Sequence, residues 1–178
     1  SREDTSRSES YITDRKRKEL EMVCIDYDSY LTSLDMRGNV GIVTTMEAPR
    51  FVQLINKTNQ FNLRTRRYTD GQVEQINGLK DQWALLHISL VDRFVNYGII
   101  SAVILEKIGD KAFIDTWVMS CRVLKRDVEK LAMNAIIKVA TLWGCEWIVG
   151  EYVGTKKNGM VRNLYGEFGF ETCSNGWF

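Results

Sequence analysis

The sequence predicts a mixed α/β domain, and three observations carry that expectation. Strand-like runs rich in β-branched and aromatic residues follow one another with short turns between residues 83 and 119. A single apolar stripe of helical period comes next, over Val128, Leu131, Ala132, Ala135, Ile136, Val139 and Ala140. The 178 residues are 44% hydrophobic and 26% charged, ordinary values for one globular domain.

Taken in order, residues 1–20 hold six basic and five acidic side chains around Tyr11, Ile12 and Leu20, a solvated helix or linker. Apolar density rises from Glu21 to Leu34. Val40–Met46 alternates as a strand, and Pro49 suits the first turn of a helix that fades at Asn59. Residues 56–72 are polar and basic and read as a structured loop, with Thr69 as a helix cap. Trp83–Val91, Ile99–Leu105 and Ala112–Met119 are strands of a meander, the last two joined by a Gly109-Asp110 turn. After the 128–140 helix, Gly144 supplies a stop, Trp147–Val149 a short strand, and Met160–Phe168 a second helix ended by Gly169.

Composition excludes several classes. Lys and Arg number 24 against 23 Asp and Glu, so a net charge of +1 gives no global field for a polyanion such as nucleic acid. No apolar run approaches the ~20 residues of a membrane span, and from the charged start a signal peptide is expected to be absent or already removed. Cys24, Cys121, Cys145 and Cys173 form no Cys-x-x-Cys pair, and His87 is the single histidine, which argues against a zinc site. Free, buried thiols in a reducing cytoplasm are the expectation. His87 itself, within an apolar strand, reads as structural, and the five tryptophans as core and rim.

Chemistry is expected where strands feed helices. Ser120–Asp127 joins the 112–119 strand to the 128–140 helix. The helix start favours an anion, and Arg122, Lys125 and Arg126 add cations there. The alternative reading is a basic loop with Asp127 as N-cap. A second join, Gly150–Asn158, borders the crevice left where parallel strands part, within reach of Tyr165. Cys121, beside Arg122 near a helix start, is a candidate nucleophile.

Arg122 with Val128 after a strand, and Asn158 with Tyr165-Gly-Glu-Phe-Gly-Phe170, resemble the GNAT acyltransferase superfamily. Longer stretches resemble the C-terminal domain of FkbH-like proteins: Leu54–Leu63 with Arg66-Arg-Tyr68, Asp92-Arg-Phe94, Asp115-Thr-Trp117, Met119–Leu124, Gly150-Glu-Tyr152 and Thr155–Asn158. The resemblance implies a GNAT-like fold, a mostly antiparallel sheet with a splayed parallel strand pair and helices on both faces. It places the domain at 39–178, and makes 1–38 a helical connector following a HAD-type domain of the same polypeptide. It implies acyl transfer on a glyceryl-type thioester in a polyketide-type pathway, with an acyl carrier protein as partner. The substrate is then that carrier's phosphopantetheine arm or acyl-CoA, with no tightly bound cofactor and no metal. The alternative is a non-catalytic module that docks the carrier or orients the HAD-type domain.

Carried over, the resemblance makes Tyr165 the acid for the leaving thiolate, with Cys121 and Asp115 as further catalytic candidates. Glu106 and Glu151 are the other acidic candidates for a base. Trp117, Met119, Arg122, Val123, Leu124, Lys125, Arg126, Asp127, Val128 and Asn158 would hold the arm and its phosphate. Lys125 and Asp127 stand where the GNAT phosphate loop has glycines, and Asp127 and Glu129 put carboxylates where a pyrophosphate belongs, so poor binding of free coenzyme A is expected. Asp26-Tyr-Asp28 mimics a HAD nucleophile motif, but Tyr30 replaces its small residue and no later acidic pair follows, so it is not a phosphatase site.

Overall fold

A computed structural model describes residues 2–173 and 178. Its elements are α1 (Arg2–Val23), α2 (Tyr27–Ser33), β1 (Arg37–Ile42), α3 (Ala48–Lys57), α4 (Asp70–Asn77), β2 (Trp83–Val91), β3 (Asn96–Ile108), β4 (Lys111–Met119), α5 (Val128–Leu142), β5 (Trp147–Gly150) and α6 (Leu164–Glu167). The strands form one sheet in the order β1-β2-β3-β4-β5, with β3 and β4 antiparallel and β4 and β5 parallel. This is the mixed α/β class that the sequence predicts.

The chain divides into two units, residues 1–38 with 90–98, and residues 39–89 with 99–178. In the first, Arg17 of α1 is buried; its Nε donates to Asp92 Oδ2 at 3.2 Å and its guanidinium stacks over the Tyr97 ring at 5.2 Å. Asp92 also accepts from the Phe94 and Val95 amides, at 2.8 Å each, and from the Tyr97 hydroxyl at 2.9 Å. Met22, Val23 and Ile25 are exposed, so the rise in apolar density there does not mark core; Tyr30 and Leu34 are buried. Asp26 of the HAD-like decoy caps α2 by accepting from Ser29 N at 2.7 Å.

In the second unit, α3 and α4 cover one sheet face, where Phe51, Leu54 and Ile55 pack with Leu85, Ala102, Ile104 and Val118. On the other face, Leu86 shares a groove with Leu131, Ala135 and Val139 of α5. Thr69 caps α4 with the reciprocal Gln72 bond, a capping box. Gly144, at φ +67°, turns the chain out of α5.

Several local expectations are corrected. The strand expected to reach Met46 ends at Ile42, because the Glu47 carboxylate accepts from Thr44 N at 2.9 Å and from its hydroxyl, bending 44–47 into a turn. The Met160–Phe168 helix breaks into a 3₁₀ turn at Gly159–Val161 and the four-residue α6. Gly159, Asn163 and Gly166 are poor helix formers, and no long run separates them. Asp127 is not a side-chain cap for α5: it sits at φ +59° and its carboxylate pairs with Lys130 Nζ at 3.0 Å. Nor is any thiol fully buried, since Cys121 and Cys173 are exposed and Cys24 and Cys145 half-buried.

Candidate functional site

β4 and β5 pair only from Lys111–Trp147 to Ile114–Gly150, and then part. A register shift explains why. Opposite β3, Ile104 faces Thr116 while Leu105 faces Ile114, so Asp115 is an extra residue in β4, a bulge that bends the strand. The parting is therefore present, as the resemblance implies. The chain fills it with its own backbone. Met119 N donates to Phe61 O at 3.1 Å, Leu63 N donates to Trp117 O at 3.4 Å, and Asn62 bridges Val118 antiparallel. Val153 N, beyond β5, donates to Leu63 O at 2.8 Å. The Trp117 and Met119 backbone groups, expected to hold a pantetheine arm, thus already have partners in residues 61–63.

Side chains lock this segment in place. Asp115 is fully buried and accepts from Arg64 Nη1 at 2.9 Å, from Thr116 Oγ1 at 2.8 Å, and from Arg66 and the Tyr68 hydroxyl. Arg64 also donates from Nε to Glu151 Oε2 at 2.6 Å and stacks over the Phe113 ring. Four donors converge on one carboxylate, so its lone pairs are committed to structure and Asp115 is not poised as a base. Burial, with the bond to Asp115, pushes the Tyr68 phenol well above its ordinary range.

Asn158 is likewise spent internally. Its Nδ2 donates to Asn62 O at 2.8 Å and Val153 O at 2.9 Å, and its Oδ1 accepts from Thr155 N at 2.7 Å. It clasps the loop after β5 to the inserted segment rather than facing a ligand. Tyr165 is 1% exposed, enclosed by Phe170, Phe178 and Gly150. Its hydroxyl has no hydrogen-bond partner among the described residues. Burial raises its pKa strongly, so the phenol stays protonated at neutral pH.

Phe61 separates two cavities. One, of about 400 Å³, lies at the start of α5 and is lined by Lys125 and Lys130 but also by Asp127, Glu129 and Glu167. Burial pushes the Glu129 carboxyl up; the Glu129 and Lys125 N–H groups oppose this, while Asp127 and Glu167 reinforce it. Glu129 thus adds a carboxylate at the start of α5, where the resemblance expects a pyrophosphate. The second cavity, of about 730 Å³, lies at the C-terminal end of β4 between α3 and the 156–157 loop. Arg50, Lys57, Lys156 and Lys157 line it, with Cys121 and Ser120, and no carboxylate does. Its apolar floor is Leu54, Phe61 and Met119, all buried.

Of the residues expected to hold a ligand, Lys125, Asp127 and Leu124 reach the first cavity, and Met119 and Cys121 the second. Arg122 lines neither; it bonds Ser120 Oγ through its amide and Nε. Trp117, Val123 and Val128 are core residues, at 0, 0 and 3% exposure. Arg126 is half-buried and engaged elsewhere in the fold. Glu167 and the cationic lining escape the sequence reading, since they come from segments far apart in the chain. No cluster of three or more His, Cys, Asp or Glu residues able to hold a metal occurs among the described residues, and none of their helices is long and apolar enough to cross a membrane.

The bulged, parting strand pair and the α5 crossover define the GNAT acetyltransferase fold, and comparison with solved structures agrees. An acetyltransferase of the GNAT family from Staphylococcus aureus superposes with a TM-score of 0.60 at 13% identity, over 79% of this chain and 88% of that one. The ribosomal-protein-S18-alanine N-acetyltransferase of Escherichia coli gives 0.57 at 13% identity, over 78% and 80%. A Mycobacterium tuberculosis protein solved in complex with CoA gives 0.57 at 11%, over 76% and 73%. At these identities the similarity establishes the fold. No protein-family model matches the sequence, and no curated protein does.

Proposed function

We propose that this GNAT-fold domain handles an acyl thioester borne on the phosphopantetheine arm of an acyl carrier protein, in the setting of an FkbH-like protein with a HAD-type domain in the same polypeptide. The observation that supports a carrier over free coenzyme A is the cavity at the start of α5, where three carboxylates outnumber two lysines at the expected pyrophosphate position. A pyrophosphate with an added 3′-phosphate meets like charge there. A carrier-borne arm brings a single phosphodiester and can approach from elsewhere. In the transfer step, after residues 61–63 leave the β4 edge, the acceptor's nucleophile bonds to the acyl carbon and sheds its own proton to solvent, the C–S bond breaks, and Tyr165 gives its proton to the departing thiolate; its raised pKa keeps that proton in place beforehand.

A second reading, docking of the carrier without chemistry, draws on a different observation: the β4 edge is filled and Tyr165 is enclosed. One experiment separates them. Acyl carrier incubated with the protein is followed by mass spectrometry. Acyl loss or transfer that Tyr165→Phe abolishes supports the first reading. An intact acyl carrier that binds the protein supports docking. Low-micromolar calorimetric binding of free coenzyme A would refute the expected preference for a carrier-borne arm over the free coenzyme.

A further inference from the structure

The larger cavity lies across Phe61 from the cavity at the start of α5, and unlike that one, where two lysines face three carboxylates, it is lined by cations alone. Four cations line it with no carboxylate, although the whole chain carries only +1. Among the described residues, Lys57, Lys156 and Lys157 form no ion pair, while Arg50 donates to the neutral Gln53 amide. Positive charge left unneutralised around a concavity costs self-repulsion and attracts an anion. Beneath it, Leu54, Phe61 and Met119 offer apolar surface, and Gln53, Asn59 and Gln60 offer amide N–H donors, the Gln53 and Asn59 oxygens accepting from Arg50 and Arg67. Its 730 Å³ lies within the range of small-ligand sites. A polyanion such as nucleic acid asks for an extended basic stripe, not one local concavity.

We infer that this cavity seats a phosphopantetheine chain, its phosphate on Lys57, Lys156 and Lys157 and its amide-bearing body along Gln53, Asn59 and the apolar floor. The inference rests on the carrier reading above and gives the arm an entrance, at the C-terminal end of β4, that residues 61–63 leave open. Charge attracts the phosphate, and the floor and amides distinguish an attached chain from a bare anion.

The test uses the full chain and three probes: 4′-phosphopantetheine, pantetheine and inorganic phosphate. Calorimetry is expected to show phosphopantetheine binding at least about tenfold tighter than either other probe, weakening as salt screens the lysines. It should lose about tenfold or more in Lys57→Glu/Lys156→Glu, whose exposed positions leave the far-ultraviolet circular dichroism unchanged. Bound phosphopantetheine should also slow alkylation of the exposed Cys121, read by peptide mass spectrometry. Equal affinity for phosphopantetheine and pantetheine, equal affinity for phosphopantetheine and phosphate, or an unchanged affinity in the charge-reversed variant each overturns the assignment. Holo-carrier that binds wild type and variant alike removes this seat and leaves the carrier reading intact. Phosphopantetheine bound here by a protein that ignores holo-carrier keeps the seat and removes the carrier.

Discussion

At the scale of single residues, the site is governed by side chains whose polar groups are already engaged. Gly150 ends β5 where the strands part, and a Cβ there would lie 2.2 Å from Tyr165 Cζ and 2.6 Å from its hydroxyl. Only a glycine lets the phenol sit against the strand. Gly150→Ala is therefore expected to cost about 1–3 kcal/mol as the ring is forced aside, measured by urea denaturation. Asp92 offers a pH test in the first unit. Burial pushes its carboxyl up, but the Phe94 and Val95 amides, the Tyr97 hydroxyl and Arg17 outweigh that, and its pKa lies below the ordinary value. A depressed carboxylate contributes stability above its unfolded pKa of about 3.9, and loses it as pH falls through the folded value. Asp92→Asn should thus destabilise by about 2 kcal/mol at pH 7, and the gap from wild type should narrow as pH falls below the unfolded value and through the lower folded one. A gap that persists undiminished in acid would contradict this assignment.

Segments act here through what they insert or fail to insert. Residues 61–63 behave as a short sixth strand on the distal half of β4, held by Asn158 from one side and by Asp115 with Arg64 from the other. Asn158→Ala removes a buried bond to Asn62 and partly buried bonds to Val153 and Thr155. It is expected to lower stability by about 2–3 kcal/mol, and hydrogen exchange at the Leu63 and Met119 amides should accelerate by at least about tenfold relative to β3 amides. Exchange that accelerates equally everywhere would mean that the segment opens only with the whole fold. The capping box of α4, the Pro49 start of α3 and the stripe of α5 were all legible because each is a local rule acting within four residues. The 160–168 stretch was not, since its apolar spacing mimics a helix while its glycines prevent one.

For the molecule as a whole, what matters is the opposition of charge across Phe61. A chain near neutrality places Asp127, Glu129 and Glu167 against Lys125 and Lys130 in one cavity, and four cations with no carboxylate in the other. Replacing Glu129 and Glu167 together with Gln should raise affinity for coenzyme A by about tenfold, roughly 1.4 kcal/mol, and leave phosphopantetheine binding at the cationic cavity unchanged. Titration of the double variant checks both statements; coenzyme A binding no tighter than wild type would locate the obstruction in residues 61–63 instead.

The sequence by itself determined the class of fold, because strand alternation and the 128–140 stripe are periodic signals that burial imposes residue by residue. It also flagged the loss of glycines and the carboxylates at Asp127 and Glu129. Tertiary structure alone decided where Asp115 points, that Tyr165 is enclosed, and that residues 61–63 fill the strand gap. Those outcomes depend on a one-residue bulge and on contacts between segments 50 to 100 positions apart, and such pairings leave no periodic mark in a single chain.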